Sequence, residues 1–147
     1  MHQLIIFFLL LYGLCSAQTD SCSFFGNKPI YPYYYPEVVS VKDFYTVKNE
    51  FKKTITAKTD FDGMITIIFF INYKGEAGFY RTQVCNADYS PLEIGGNNRL
   101  LCEQALQAVK QAGPWKPAFD KERGVLNSRK FYSFRFKQGV LVDILPK

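Results

Sequence analysis

Apolar residues recur along this chain at two periods, and the switches between them mark out the elements. From residue 100 onward, Leu101, Ala105, Ala108, Val109 and Ala112 fall on one face of a helix of about 3.6 residues per turn. Glu103, Gln104, Gln107, Lys110 and Gln111 take the other faces. The stripe is rich in Ala, so this helix is expected to lie close to whatever covers it. Gly113 stands where a helix C′ residue belongs, and Pro114 forbids continuation. Trp115 follows, the only Trp in the chain, between Pro114 and Pro117. Proline fixes φ, so the chain leaves the helix along a set path. Trp115 is expected to plug the corner between helix and strand; a ligand-stacking role is the alternative.

A second helix is predicted from Phe44 to about Thr54, capped by Asp43, with Phe44, Val47, Phe51 and Ile55 on its apolar face. The sequence Asp60-Phe61-Asp62-Gly63 signals a turn. The period then changes to two. Residues 64–73 place Ile65, Ile67, Phe69, Ile71 and Tyr73 on one face and a mostly apolar set on the other, which predicts a strand covered on both sides. Lys74-Gly75-Glu76 predicts a tight turn, and residues 77–85 a half-exposed return strand. Residues 86–98 and 118–129 read as polar loops. Residues 130–137 alternate, with Tyr132, Phe134 and Phe136 on one face. Gln138-Gly139 predicts a hairpin turn, and residues 140–145 a last strand with Val140, Val142 and Ile144 on one face and Leu141, Asp143 and Leu145 on the other. The order helix, strand, strand, helix, strand, strand predicts an α+β fold: a two-layer sandwich with a mostly antiparallel sheet and helices packed on one face.

The N-terminal part follows neither period. An apolar run at residues 4–14 ending in Cys15-Ser16-Ala17 has the form of a signal peptide cleaved after Ala17. The run is short of the roughly 20 apolar residues that a membrane span needs. No small residue precedes Cys15 as a lipoprotein cysteine would require, so a lipid anchor is not expected and membrane contact would be peripheral at most. Residues 18–41 carry Pro29, Pro32 and Pro36 among Tyr31, Tyr33, Tyr34 and Tyr35. Prolines at that density favour extended backbone, and the expectation is an arm laying aromatic rings on the domain formed by residues 42–147. A peptide-like recognition segment is the alternative.

Export changes how the charges and cysteines read. The net charge of +5 comes from scattered Lys and Arg, read as a solvated basic surface in preference to nucleic-acid binding. His2 is the only histidine and would leave with the leader, which removes His-based catalysis and His-ligated zinc. No cofactor and no metal site are expected. Cys22, Cys85 and Cys102 remain after cleavage, and an odd count in an oxidising compartment suggests one bridge and one spare thiol. A Cys85–Cys102 bridge would close a loop of about 17 residues and contribute roughly 3 kcal/mol.

In order along residues 31–136, several motifs resemble those of the TonB C-terminal domain family. They are Tyr31-Pro32 or Tyr35-Pro36, Asp62-Gly63 with the strand after it, Lys74-Gly75 at a hairpin, Leu106 to Lys110 in the Ala-rich helix, Trp115-Lys116-Pro117-Ala118 as a W-x-P-A exit, and Gly124-Val125 with the strand to Phe136. The resemblance implies a periplasmic domain whose sheet edge pairs with a short peptide of an outer-membrane transporter or other envelope protein, in TonB-linked transport. Partner contacts would then fall on Phe134, Phe136, Val140, Val142, Ile144, Tyr31 and Pro32, while Trp115, Pro117, Gly63 and Gly75 would hold the fold. The last strand is expected to fold back on the one ending at Phe136. A non-enzymatic interaction domain is thus the leading reading. A thiol- or disulfide-dependent envelope structural protein and a small exported enzyme are the alternatives. For the enzyme, the candidate acid–base carboxylates are Asp60, Asp62 and Glu76, and carboxylates at hairpin turns usually serve the turn.

Overall fold

The computed structural model describes residues 21–32 and 39–146. The elements in chain order are α1 (Ser21–Phe25), β1 (Ile30–Tyr31), β2 (Val39–Ser40), α2 (Phe44–Thr54), β3 (Gly63–Ile71), β4 (Ala77–Asn86) and β5 (Pro91–Leu92). A single 3-10 turn, Gly96–Asn98, leads into α3 (Arg99–Gln111). There follow β6 (Trp115–Lys116), β7 (Ala118–Asp120), β8 (Gly124–Lys137) and β9 (Val140–Leu145). The architecture is mixed α+β, built on a curled and mostly antiparallel sheet. The expected leader, residues 1–17, and Tyr33, Tyr34, Tyr35 and Pro36 of the arm lie outside the described residues.

β3 is the centre of the sheet. It pairs antiparallel with β4 on one side and with β8 on the other, in the order β1-β8-β3-β4-β5. Its side chains alternate between full and partial burial, and Ile65, Ile67, Phe69 and Ile71 form the middle of the core. On that face lie α2 and α3. Asp43 caps α2, its side chain accepting the N–H of Thr46 at 2.9 Å and its hydroxyl at 2.6 Å, and these bonds hold the Asp43 carboxyl below its ordinary range. Val47 and Phe51 are buried, and the Phe51 ring meets Tyr132 and Phe134 of β8 edge-on at 4.9 and 5.2 Å. Phe44, expected on the apolar face, is partly exposed because it occupies the first turn, beyond the edge of the core.

In α3 the buried positions are Leu101, Cys102, Ala105, Ala108 and Val109, joined by Ala112. Cys102, which is not part of the stripe read from the sequence, belongs to the core as well. Gly113 does not take the left-handed conformation expected of a C′ residue. Trp115 is buried, with its ring 5.2 Å from Phe69 and 6.4 Å from Tyr132, and Ala118 beyond half-buried Pro117 is buried too. Gly75 has φ +84, and a β-carbon there would meet the Trp115 carbonyl at 2.7 Å, so the β3–β4 turn and the exit from α3 interlock at a glycine. Gly63 is needed for a similar close approach: a β-carbon would stand 2.2 Å from the Cys85 carbonyl.

Several elements depart from expectation. Residues 118–129, read as a polar loop, form β7 and the first half of β8, paired Ala118↔Leu126 through Asp120↔Gly124. The arm is not wholly extended: Ser21–Phe25 is helical, and Ile30–Tyr31 pairs parallel with Asn127 and Ser128 of β8. α1 also lies on the face of the sheet opposite α2 and α3, with Phe25 5.5 Å from Phe70 and Phe79 5.1 Å from Phe24. Helices therefore cover both faces at this end. The reason is the apolar outer face of β3, which leaves Phe70 to be covered.

Two buried asparagines fix this arrangement. Asn127 donates to the carbonyls of Phe25 and Lys28, both at 2.8 Å. Asn72 donates to the carbonyl of Phe24 at 3.1 Å and to Glu76 Oε2 at 2.6 Å, while its own carbonyl accepts the N–H groups of Lys74 and Glu76. Each amide thus satisfies backbone groups that the short helix and the turn leave without partners.

Candidate functional site

The hairpin turn at Gln138-Gly139 returns the chain as β9 along β8. Its position is fixed from below: Gly139 N–H donates to the Phe61 carbonyl at 2.8 Å, and Gln138 N–H donates to Asp62 Oδ1. Asp62 is therefore engaged in a turn. β9 pairs antiparallel with β8 from Lys137↔Val140 to Ser133↔Leu145, so the β8 edge at Ser133–Lys137 is occupied by the chain's own tail. The other edge of β9 meets no strand among the described residues.

A bulge changes which side chains of β9 face where. Phe136 pairs with Leu141 and Arg135 with Asp143, leaving Val142 unmatched. Leu141 and Ile144 therefore turn to the core, where the expected set of Val140, Val142 and Ile144 is split. Ile144 is buried, while Val140 is 63% and Val142 49% exposed. Asp143 faces Arg135 at 4.0 Å on the outer face of the sheet. A charge on a short edge strand discourages pairing with another copy of the same edge.

The partner-contact residues expected from sequence thus separate. Phe134, Phe136 and Ile144 are buried in the core and present no side chain to a partner. Tyr31 is part of the sheet, half-buried beside the core, with the Arg123 guanidinium 5.4 Å from its ring centre; Pro32 follows it, half-buried. Val140 and Val142 are the two that remain accessible.

Beside β9, on the side of α2, runs a groove of about 640 Å³. Lys52, Ile55, Lys58, Val140 and Leu141 line it. Its wall is held by Gln104 of α3, whose side-chain carbonyl accepts the N–H groups of Thr56 and Ala57 at 2.9 and 2.8 Å. The sequence reading missed this groove. Lys52 and Lys58 are polar positions in the sequence, and nothing local says that the strand beginning at Val140 will lie beside them.

The expected Cys85–Cys102 bridge is absent: both thiols are free. The reason is the alternation of a strand. Val84 faces the core, so its neighbour Cys85, opposite Met64, faces the outer side of the sheet. Cys102 is buried on the helix side, its Sγ 3.8 Å from Asn98 Oδ1. Burial, with a smaller contribution from the Glu103 carboxylate, pushes the Cys102 thiol up to about 11. Tyr80, half-buried against Phe69, is raised by burial as well.

Among the described residues no three His, Cys, Asp or Glu side chains gather as a metal site would need, and no helix is long and apolar enough to cross a membrane. Comparison with protein-family profiles, with curated proteins and with solved structures finds no match for this chain.

Proposed function

We propose that this chain is an exported, non-enzymatic interaction domain that adds an extended segment of an envelope protein to its sheet at β9. In this reading it is a TonB C-terminal-like domain whose two main layers are the sheet and the pair α2 and α3, with the short α1 added on the other face, working in the periplasm next to an outer-membrane transporter or another envelope partner. The observation that carries the reading is the outer edge of β9, which pairs with no strand among the described residues and is flanked by the exposed side chains of Val140 and Val142, although the Ile144 N–H already donates to Asp143 Oδ1 at 3.0 Å. An edge of unpaired N–H and C=O groups binds a peptide through its main chain, and neighbouring pockets select alternate side chains. The ordered motifs, above all the helix followed by Trp115-Lys116-Pro117-Ala118, support the family likeness.

The tail changes how such a domain would work. β9 covers the β8 edge, so a partner would meet the tail itself. Amide hydrogen exchange tests this directly. Bound to its partner segment, the protein should exchange the amides of Val140–Leu145 more slowly. Slowing confined to other parts of the chain, with β9 unchanged, would overturn the assignment of the edge.

A further inference from the structure

We propose that α1 guards the second edge of the sheet: by packing on Phe79 it keeps β4 bulged, and a bulged β4 does not accept a strand from another copy of this chain. The inference concerns the edge opposite β9 and stands whether or not β9 receives a partner. β5 pairs only with Val84 and Cys85, so from Ala77 to Gln83 the outer side of β4 meets no strand among the described residues. That stretch is longer than β9, and Arg81 is its only charged residue. An open edge of this kind is a template for the same edge of another copy unless something blunts it.

What blunts it is a bulge in the middle of the stretch. Ile68 pairs with Arg81 and Phe70 with Gly78, so Phe79 and Tyr80 stand opposite Phe69 alone. Phe79 absorbs the extra residue with φ +54, in the left-handed region that a bulky side chain resists. Gly78 beside it, which would enter that region without steric cost, does not take it. Local sequence therefore does not explain the bulge. Its compensation comes from α1. The Phe79 ring stacks on Phe25 at 5.3 Å and meets Phe24 edge-on at 5.1 Å. Phe24 also covers Gly78, where a β-carbon would stand 3.0 Å from its ring. Gly78 and Phe79 are thus both seated under α1.

The dependence runs both ways. α1 has five residues, too few to hold a helix alone. The sheet keeps it in place: Asn72 and Asn127 donate to the carbonyls of Phe24 and Phe25, and both rings pack on Phe79. When α1 is loosened, the left-handed Phe79 loses what holds it. β4 then pairs regularly with β3, Tyr80 opposite Phe69 and Phe79 opposite Phe70, and its outer edge straightens.

The test separates the bulge from the ring contact. Phe79→Asn and Phe79→Val both lose the aromatic contact with α1, but asparagine tolerates the left-handed region and valine resists it. Self-association of the full chain is read by sedimentation velocity and located by amide exchange. Phe79→Val should associate with an affinity at least about tenfold above the parent's and slow exchange in Ala77–Gln83. Phe79→Asn should behave as the parent does. Phe24→Ser/Phe25→Ser, which loosens α1 without adding an apolar side chain, should associate as Phe79→Val does. Adding Phe79→Asn to that pair should restore the parent's behaviour.

Equal association of Phe79→Val and Phe79→Asn would assign the effect to the uncovered rings and overturn the role of the bulge. Association that protects Val140–Leu145 and leaves β4 unchanged would overturn the guarded edge. If neither Phe79→Val nor Phe24→Ser/Phe25→Ser associates more than the parent, α1 guards nothing. Should Phe79→Val not fold, the serine pair with and without Phe79→Asn decides by the same comparison.

Discussion

Asn127 accepts the backbone N–H of Tyr73 on its side-chain carbonyl at 3.0 Å, joining the turn that follows the central strand to the first half of β8. The same amide donates to the carbonyls of Phe25 and Lys28, so one buried side chain ties three segments of chain together. Asn127→Ala should leave these backbone groups without partners and lower stability by about 3 kcal/mol. Asn127→Asp should do at least as much harm, because a carboxylate cannot donate to the two carbonyls. Denaturant unfolding measures the loss, and earlier proteolytic release of α1 would locate it. An unchanged transition midpoint in both variants would show that the amide does not anchor the N-terminal segment.

Trp115 fills the corner where α3 turns back toward the sheet. A β-carbon at Gly113 would stand 3.0 Å from its indole nitrogen, so the ring lies directly over the glycine. Trp115→Ala should lower stability by about 3–5 kcal/mol, and Gly113→Ala should cost less, since the ring can shift a few tenths of an ångström. A melt of Trp115→Ala within a degree or so of the parent would refute the role of corner plug.

The cysteines give a chemical test. With Cys85 on the outer face and Cys102 in the core, non-reducing peptide mapping should recover no Cys85–Cys102 linkage. Alkylation of the folded protein should modify Cys85 well before Cys102. Modification of Cys102 at the faster rate would contradict its burial.

The Cys102 thiol also predicts how stability responds to alkali. Its ordinary value is 9.0 and the folded value is about 11, so between these the unfolded state loses its proton first. Stability from this group is therefore complete below about pH 9 and declines as pH rises toward 11. Cys102→Ser, titrated by unfolding at each pH, should show a shallower alkaline decline than the parent. Identical slopes would assign the decline to other groups, Tyr80 among them.

Export is testable without the fold. Intact mass of the protein recovered from the producing cell's envelope should correspond to cleavage after Ala17, leaving Gln18 at the N-terminus. A retained leader would remove the compartment on which the proposed partner depends.

Much of this molecule is written locally. The residue types at Asp43 to Thr54 set a cap and an amphipathic face, and the structure begins and ends α2 there. Alternation along β3 and the Ala stripe of α3 decided which faces are buried, because strand and helix periods are properties of backbone geometry alone. The turns at Gly75 and Gly139, and the fold-back of residues 140–145, followed from the same short-range chemistry. Other features belong to the assembled fold. β8 runs on from Gly124 through polar residues because β7, β1 and β3 supply partners for its backbone, which no single segment announces. The bulge at Val142 exposes Val142 and turns Leu141 and Ile144 inward, breaking an alternation that the sequence alone implies. Cys85 and Cys102 are separated by the thickness of the sheet, a distance that sequence spacing does not contain. The same holds for Asn72 and Asn127, whose amides meet backbone groups far away in the chain, and for Lys52 and Lys58, which border the groove only once β9 has docked. Periodicity determined the elements and their buried faces; long-range pairing decided the edges, the buried polar anchors and the groove, because those are made between segments that have no local reason to meet.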